Sequence, residues 1–187
     1  MTESFEKTKV AGSIAAGALD EVNNIIKPGV STSEIDKLCY EYINDHKAFS
    51  APLYYRGYPK SCCTSSNHVV CHGIPSEKIL NDGDILNVDV TAIKDGWHGD
   101  TSRMFVVGEC SVKAKKLIKT TYEAMMEAIK IIKANTKIGN IGYTIQKIVE
   151  AEGFSVVRDF CGHGIGKKFH ESPNVLHYGE KNSGQEL

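Results

Sequence analysis

Two β-strands are predicted from Ile85-Leu86-Asn87-Val88-Asp89-Val90-Thr91-Ala92-Ile93 and from Trp97-His98-Gly99-Asp100-Thr101-Ser102-Arg103-Met104-Phe105. Between them, Asp95-Gly96 is a strong signal for a two-residue hairpin turn. With that turn, Thr91 lies opposite Asp100 in the antiparallel pair. Side chains alternate along a strand, so Asp89 shares a face with Thr91. Asp89 and Asp100 are therefore predicted to be diagonal neighbours, about 7–8 Å apart.

The predicted hairpin has one acidic face and one apolar face. Two carboxylates at this separation repel each other unless a proton or a cation lies between them, and oxygen ligands suit divalent metals. The opposite face suits a hydrophobic core, since it carries Leu86, Val88, Val90 and Ala92. A metal site is thus one interpretation of the acidic face, and a pair of solvated aspartates is the other.

Helices are predicted on both sides of the hairpin. The first carries apolar residues at helical spacing from Val10 to Ile26 and stops at Pro28-Gly29. A capping box at Ser31–Glu34 opens the second, which should end near Asp45-His46. Two more helices are predicted over 112–134 and from about Ile141 to Ala151. Strand and loop are expected over 48–108 and from 154 to the end.

This order of elements indicates an internal repeat with an offset of 106 residues. At that offset Ile25-Ile26-Lys27 matches Ile131-Ile132-Lys133, and Ile35 falls on Ile141. The prediction is a duplicated α+β unit, with halves at about 1–110 and 111–187 forming one domain. Strand and loop cover 61 residues after the first helix pair but only 34 after the second, so the second half is expected to lack a final hairpin.

Composition excludes several classes of protein. With 22 basic and 23 acidic residues, the chain offers no electrostatic reason to bind nucleic acid or a membrane surface. It has no apolar run long enough to span a bilayer, and its first residues lack the basic start and apolar stretch of a secretory signal, so none is expected. The six cysteines include no Cys-x-x-Cys pair, so a structural zinc site is not expected. In a chain of this length with no sign of secretion, reduced thiols in a cytoplasmic protein are expected instead.

Two further segments surround a histidine with residues that permit close backbone approach. His72 lies within Cys71-His72-Gly73-Ile74-Pro75, and His163 lies within Cys161-Gly162-His163-Gly164-Ile165-Gly166. Phe169-His170-Glu171 follows seven residues after His163. On the residues alone, these histidines are equally compatible with structural and functional roles.

Together with the hairpin, these segments occur in an order that strongly resembles type I methionine aminopeptidase of the bacterial kind. The matching segments are Cys71–Pro75, Asn87–Thr91, His98–Ser102, Gly162–Gly166 and Phe169–Glu171, and the resemblance runs over essentially all 187 residues. It implies an α+β pita-bread fold with two halves related by pseudo-twofold symmetry. It also implies a cytoplasmic, monomeric hydrolase that removes the N-terminal methionine of nascent polypeptides, at the ribosome among other places, when the next residue is small.

The resemblance implies a dinuclear metal site and a methionine pocket. Asp89 should chelate one divalent ion, Asp100 should bridge both, and His163 should bind the other. Metal-activated hydroxide would then attack the peptide bond, and Mn, Fe, Co or Zn would suit the donor set. His72 and His170 match the family's substrate-binding histidines. The methionine pocket is matched by Tyr55, Tyr58, Cys63 and Phe169, and the loop that binds a monovalent cation is matched by Asn67 and Val69.

The sequence departs from the family's pattern after Leu187. The family's two other metal ligands are glutamates in C-terminal strands, one of them in a Thr-Ile-Glu-Pro segment, and neither segment is present. A C-terminally truncated chain is therefore expected. For a form of 187 residues the expectation is weak metal binding, loss of activity, and marginal stability or self-association.

Two alternatives remain at this point. One is a related X-Pro dipeptidase or aminopeptidase of the same fold, and the other is an inactive, binding-only protein on this scaffold. Retention of Asp89, Asp100 and His163 favours an enzyme.

Overall fold

The computed structural model describes residues 2–187, which form two compact units. The first unit comprises residues 2–111 and 165–169, and the second comprises residues 112–164 and 170–187. The helices and strands of the first unit are α1 (Glu3–Ile25), α2 (Thr32–Asp45), β1 (Phe49–Ser50), β2 (Cys63–Ser66), β3 (Ile85–Lys94) and β4 (Trp97–Val106), with a 3-10 turn at Tyr55–Gly57. Those of the second are α3 (Val112–Lys130), α4 (Gly139–Ala151), β5 (Gly162–Gly164) and β6 (Glu171–Val175).

Strand β3 is the centre of a four-stranded antiparallel sheet in the first unit. Strand β4 pairs along its whole length, from Ile85↔Val106 to Lys94↔Trp97. The pairing Thr91↔Asp100 confirms the predicted hairpin register. Strands β1 and β2 pair with the two ends of β3. Asp95 and Gly96 both have positive φ, as the predicted two-residue turn requires.

Helix α1 packs against β3 and β4 and closes the core of the first unit. Its buried residues recur at helical spacing, and they meet the apolar face of β3, whose four residues are fully buried. The residues of this shared core are Ile14, Ala15, Ala18, Leu19 and Val22 on the helix, and Leu86, Val88, Val90 and Ala92 on the strand. The predicted apolar face of the hairpin is therefore a core face.

Helix α2 begins at the predicted capping box. The Ser31 hydroxyl accepts a hydrogen bond from the Glu34 backbone N–H at 3.2 Å, and the Glu34 carboxylate accepts one from the Ser31 N–H at 2.6 Å. The bond from the Ser31 N–H, and then a second bond to the carboxylate from the Ser31 hydroxyl at 2.8 Å, lower the pKa of Glu34. The helix ends at Asp45, where the sequence predicts its end.

The second unit contains a helix pair and a two-stranded sheet. Helix α3 buries Thr120, Ala124 and Ala128, which are four residues apart and lie on one face. A salt bridge of 3.0 Å joins Lys116 of α3 to Glu152, just beyond α4. Moved by 106 positions, the bounds of α2 become 138–151, which matches α4 (Gly139–Ala151) to within one residue.

Within residues 2–187, the structure contains no helix that is both long and apolar enough to cross a membrane.

Candidate metal centre and substrate pocket

Asp89 and Asp100 lie on one face of the β3–β4 hairpin. Asp100 pairs with Thr91, and Asp89 pairs with Ser102, so the two aspartates are diagonal neighbours across the strand pair. Their side chains hydrogen-bond to each other. Burial, and then the charge of Asp100, raise the pKa of Asp89 from 3.8 to about 7. Two carboxylates this close repel each other unless a proton or a cation lies between them, so this pair is a candidate oxygen donor set for a divalent cation.

Residues 2–187 contain no group of three or more His, Cys, Asp and Glu side chains arranged to hold a metal ion. In the first unit, the predicted metal ligands are the aspartate pair. His163 and His170 belong to the second unit.

The pKa of Asp89 predicts how the stability of the metal-free protein depends on pH. The folded state raises this pKa from 3.8 to about 7, so the folded chain keeps a proton that the unfolded chain releases. The proton kept on Asp89 therefore stabilises the folded state fully below about pH 4, and this stabilisation is lost as the pH rises through about 7. We expect Asp89→Asn to remove this part of the pH dependence, as measured by urea unfolding from pH 4 to 8. Identical pH profiles for the two proteins would contradict the assignment.

His163 is oriented by its own strand. It lies in β5, and its Nδ1 is 2.9 Å from the carbonyl oxygen of Gly164. A carbonyl oxygen can only accept a hydrogen bond, so Nδ1 carries the proton that it receives. Metal-binding histidines are typically held in this way. The His170 ring lies 4.3 Å from that of His163, centre to centre.

His72 sits in the segment that runs beside strand β2. Its backbone is left-handed, with φ of 54°. Gly73 follows, and its N–H donates to Ser65 Oγ at 3.1 Å while its carbonyl accepts from Thr64 N–H at 2.8 Å. These contacts hold His72 in a conformation that few residues other than glycine adopt.

The predicted pocket residues of the first unit include a contacting aromatic pair. The rings of Tyr55 and Phe169 lie 5.1 Å apart at 60°. The Tyr58 hydroxyl is 3.0 Å from the carbonyl oxygens of both Cys62 and Gly73. Burial raises the pKa of the Cys63 thiol to about 11, so this thiol is neutral at physiological pH.

The predicted monovalent-cation residues lie in a turn that follows β2. Asn67 has φ of 53°, and its side chain donates to Asp84 at 2.8 Å and accepts from the Ile85 N–H at 3.1 Å. The Val69 N–H donates to the Ser66 carbonyl oxygen at 3.1 Å. These bonds define the conformation of the turn.

Sequence reasoning missed two buried polar residues that support this region. His98 contacts Phe169, and Asp36 anchors the chain before β2. The Asp36 carboxylate accepts hydrogen bonds from the Ser61 N–H at 2.8 Å, the Ser61 hydroxyl at 2.6 Å and the Cys62 N–H at 3.1 Å. For Asp36, the available signal is a polar residue within an amphipathic helix, and for His98 it is its place in the matching segment His98–Ser102.

Asp36→Ala is expected to lower the free energy of unfolding by about 3 kcal/mol, because three buried donors lose a charged acceptor. Asp36→Asn keeps an acceptor oxygen and should cost about half as much. Urea unfolding measures both values. Asp45→Ala, at the exposed end of the same helix, is the matched control. Equal losses for Asp36→Ala and Asp45→Ala would contradict the anchoring role.

Comparison with known proteins identifies the family. The model for metallopeptidase family M24 matches residues 6–187. A methionine aminopeptidase of Rickettsia prowazekii is 51% identical over 185 residues, which are 99% of this chain and 71% of that protein. One from Escherichia coli K12 is 55% identical over 178 residues, which are 94% of this chain and 67% of that protein.

Solved structures agree with the sequence relatives. The crystal structure of the Rickettsia prowazekii methionine aminopeptidase matches with a TM-score of 0.98 and covers 100% of this chain and 76% of its own. An Xaa-Pro dipeptidase from Bacillus anthracis matches with a TM-score of 0.80 at 24% identity, covering 95% of this chain and 49% of its own, which shows the shared fold alone. The predicted α+β pita-bread fold is confirmed. The chain therefore belongs to metallopeptidase family M24 and is a hydrolase.

Proposed function

We propose that this protein is a methionine aminopeptidase that removes the N-terminal methionine from nascent polypeptides when the next residue is small. The observation that carries the proposal is the Asp89–Asp100 pair on one face of the hairpin, in a chain of a metallopeptidase family. Relatives that are 51% and 55% identical and are named methionine aminopeptidase support this substrate class.

We infer that two divalent ions would be held here, with Asp89 a ligand of one, Asp100 a ligand of both and His163 a ligand of the other. Two features support the assignment: Asp89 and Asp100 hydrogen-bond to each other on one face of the hairpin, and Nδ1 of His163 is held by the Gly164 carbonyl, so Nε2 is the ring nitrogen that would bind a metal. Bound there, divalent ions would supply Lewis acidity and activate water at neutral pH. Mn, Fe, Co and Zn all suit this donor set. At a separate position, Asn67 and Val69 would bind a monovalent cation.

The chain's own residues bind and orient the substrate. His72 and His170 are proposed to hydrogen-bond the substrate, one near the scissile amide nitrogen and the other near the carbonyl oxygen. The methionine side chain would occupy a pocket lined by Tyr55, Tyr58, Cys63 and Phe169. Aromatic rings and a neutral thiol suit a thioether, because they contact its sulfur without a charge to desolvate.

The partners follow from this activity. The substrates would be nascent polypeptide N-termini emerging at the ribosome, and the protein would act as a cytoplasmic monomer. Its 22 basic and 23 acidic residues favour neither nucleic-acid nor membrane binding.

A peptide panel tests the substrate class. Protein expressed from the complete gene, with its mass confirmed, is supplied with Mn or Co and offered Met-Ala-Ser, Met-Leu-Ser and Ala-Pro-Ser. We expect methionine release from Met-Ala-Ser to be at least about a hundredfold faster than cleavage of either other peptide. Preferential cleavage of Ala-Pro-Ser would instead indicate an X-Pro aminopeptidase. Metal binding without any cleavage would indicate a binding protein on this scaffold.

A further inference from the structure

The loop Ile165–Phe169 is fixed to the start of strand β4. The backbone N–H of His98 donates to the Gly166 carbonyl oxygen at 2.8 Å, and His98 Nδ1 lies 3.0 Å from the same oxygen. One residue earlier in β4, the Trp97 ring centre lies 5.5 Å from Lys167 Nζ, within the range of a cation–π contact. Three contacts from two adjacent residues therefore define where this loop lies.

His98 also orients the last residue of the loop. Its ring stacks on Phe169, with 5.7 Å between ring centres and an interplanar angle of 17°. The His98 residue is buried, with 8% of its surface exposed. Because the Gly166 carbonyl can only accept, Nδ1 of His98 carries the proton, and this hydrogen bond fixes the plane of the imidazole. The fixed ring in turn limits the orientations open to Phe169, which meets Tyr55 at 5.1 Å.

We propose that His98 is a positioning residue that holds Phe169 in place as a wall of the methionine pocket. This inference rests on the proposed function, since Phe169 is assigned to the pocket there. Without the His98 ring, Phe169 gains rotational freedom that must be lost again when methionine binds. This entropic cost weakens binding of the substrate and of the transition state equally, so it raises KM and leaves kcat nearly unchanged.

Two substitutions separate the two contacts of His98. His98→Asn retains an N–H donor near the position of Nδ1 but removes the stacked ring. His98→Phe retains a ring but removes the donor. We expect KM for Met-Ala-Ser to rise about tenfold in His98→Asn and about threefold in His98→Phe, with kcat within about twofold of the unsubstituted protein in both.

His46→Asn is the matched control. His46 Nδ1 lies 2.8 Å from the Tyr42 carbonyl oxygen, and its ring lies 4.2 Å from the Tyr42 ring, centre to centre. It therefore makes the same two kinds of contact as His98, but at the exposed C-terminal end of α2. We expect KM and kcat to be unchanged in this variant.

A second measurement does not depend on activity. Trp97 is the single tryptophan of the sequence, so 5-fluorotryptophan gives one ¹⁹F resonance beside His98 and Lys167. We expect this resonance to shift or broaden in His98→Asn relative to its position in His46→Asn. If the resonance and KM are both unchanged in His98→Asn, or if only the melting temperature falls, the positioning role is overturned. If the unsubstituted protein releases no methionine, the proposed function fails, and the resonance alone decides whether His98 holds the loop.

Discussion

Asp100→Asn is expected to reduce methionine release by at least about a thousandfold and to weaken binding of Mn or Co by at least about a hundredfold. Asp100 is the residue assigned to bridge both ions, so its loss affects each of them. An amide also lacks the negative charge that a divalent cation requires of this donor set. Isothermal titration with the metal alone and an assay of methionine release measure the two effects.

Asp95→Asn is the matched control for this prediction. It makes the same chemical change at the tip of the same hairpin, where φ of 50° is well tolerated by Asn. We expect both metal affinity and methionine release to remain within about twofold of the unsubstituted protein. If both variants bind metal equally well, Asp100 is not a ligand.

Gly99→Ala is expected to destabilise the protein by about 3 kcal/mol or more, through overpacking of the first unit's core. A Cβ at Gly99 would lie 2.0 Å from the Gly12 nitrogen and 2.3 Å from the Ala11 carbonyl carbon. Both neighbours are backbone atoms of α1, so no side chain can rotate away. Helix α1 would have to move off strand β4, on which it packs. Urea unfolding measures the loss of stability.

Gly12→Ala is the control on the other side of the same contact. An added Cβ at Gly12 meets no atom within 4 Å, and the position is helical. We expect this variant to be as stable as the unsubstituted protein or more stable by up to about 1 kcal/mol, since Ala favours a helix over Gly. Equal destabilisation by the two substitutions would show that the close approach of α1 to β4 is not what requires Gly99.

The local elements of this fold could be predicted because their signals are local. The Asp95-Gly96 turn fixes the pairing of β3 with β4, and strand alternation then places Asp89 and Asp100 on one face. The capping box likewise gave the start of α2. The apolar pattern that indicates α1 begins at Val10, whereas the helix itself begins seven residues earlier, at Glu3. Its first two turns carry mostly polar, exposed residues and therefore lack the apolar periodicity used to find helices.

The supporting contacts around the site could not be predicted, because they join residues far apart in the sequence. Asp36 lies 25 residues before Ser61, and His98 lies 68 residues before Gly166. Nothing in the sequence around Asp36 or His98 indicates the distant residue that each one contacts. The requirement for Gly99 has the same origin, since it arises from a helix 87 residues earlier in the chain. Family resemblance names candidate site residues, but the residues that support them are found only from three-dimensional contacts.

The central claim is that a divalent metal centre built on Asp89, Asp100 and His163 gives this protein its aminopeptidase activity. Its most direct test is methionine release from Met-Ala-Ser by protein from the complete gene, before and after removal of metal by a chelator. We predict that chelation abolishes release and that Mn or Co restores it in the unsubstituted protein but not in Asp100→Asn. Release that persists after complete removal of metal, or that metal restores equally in Asp100→Asn, would contradict the claim.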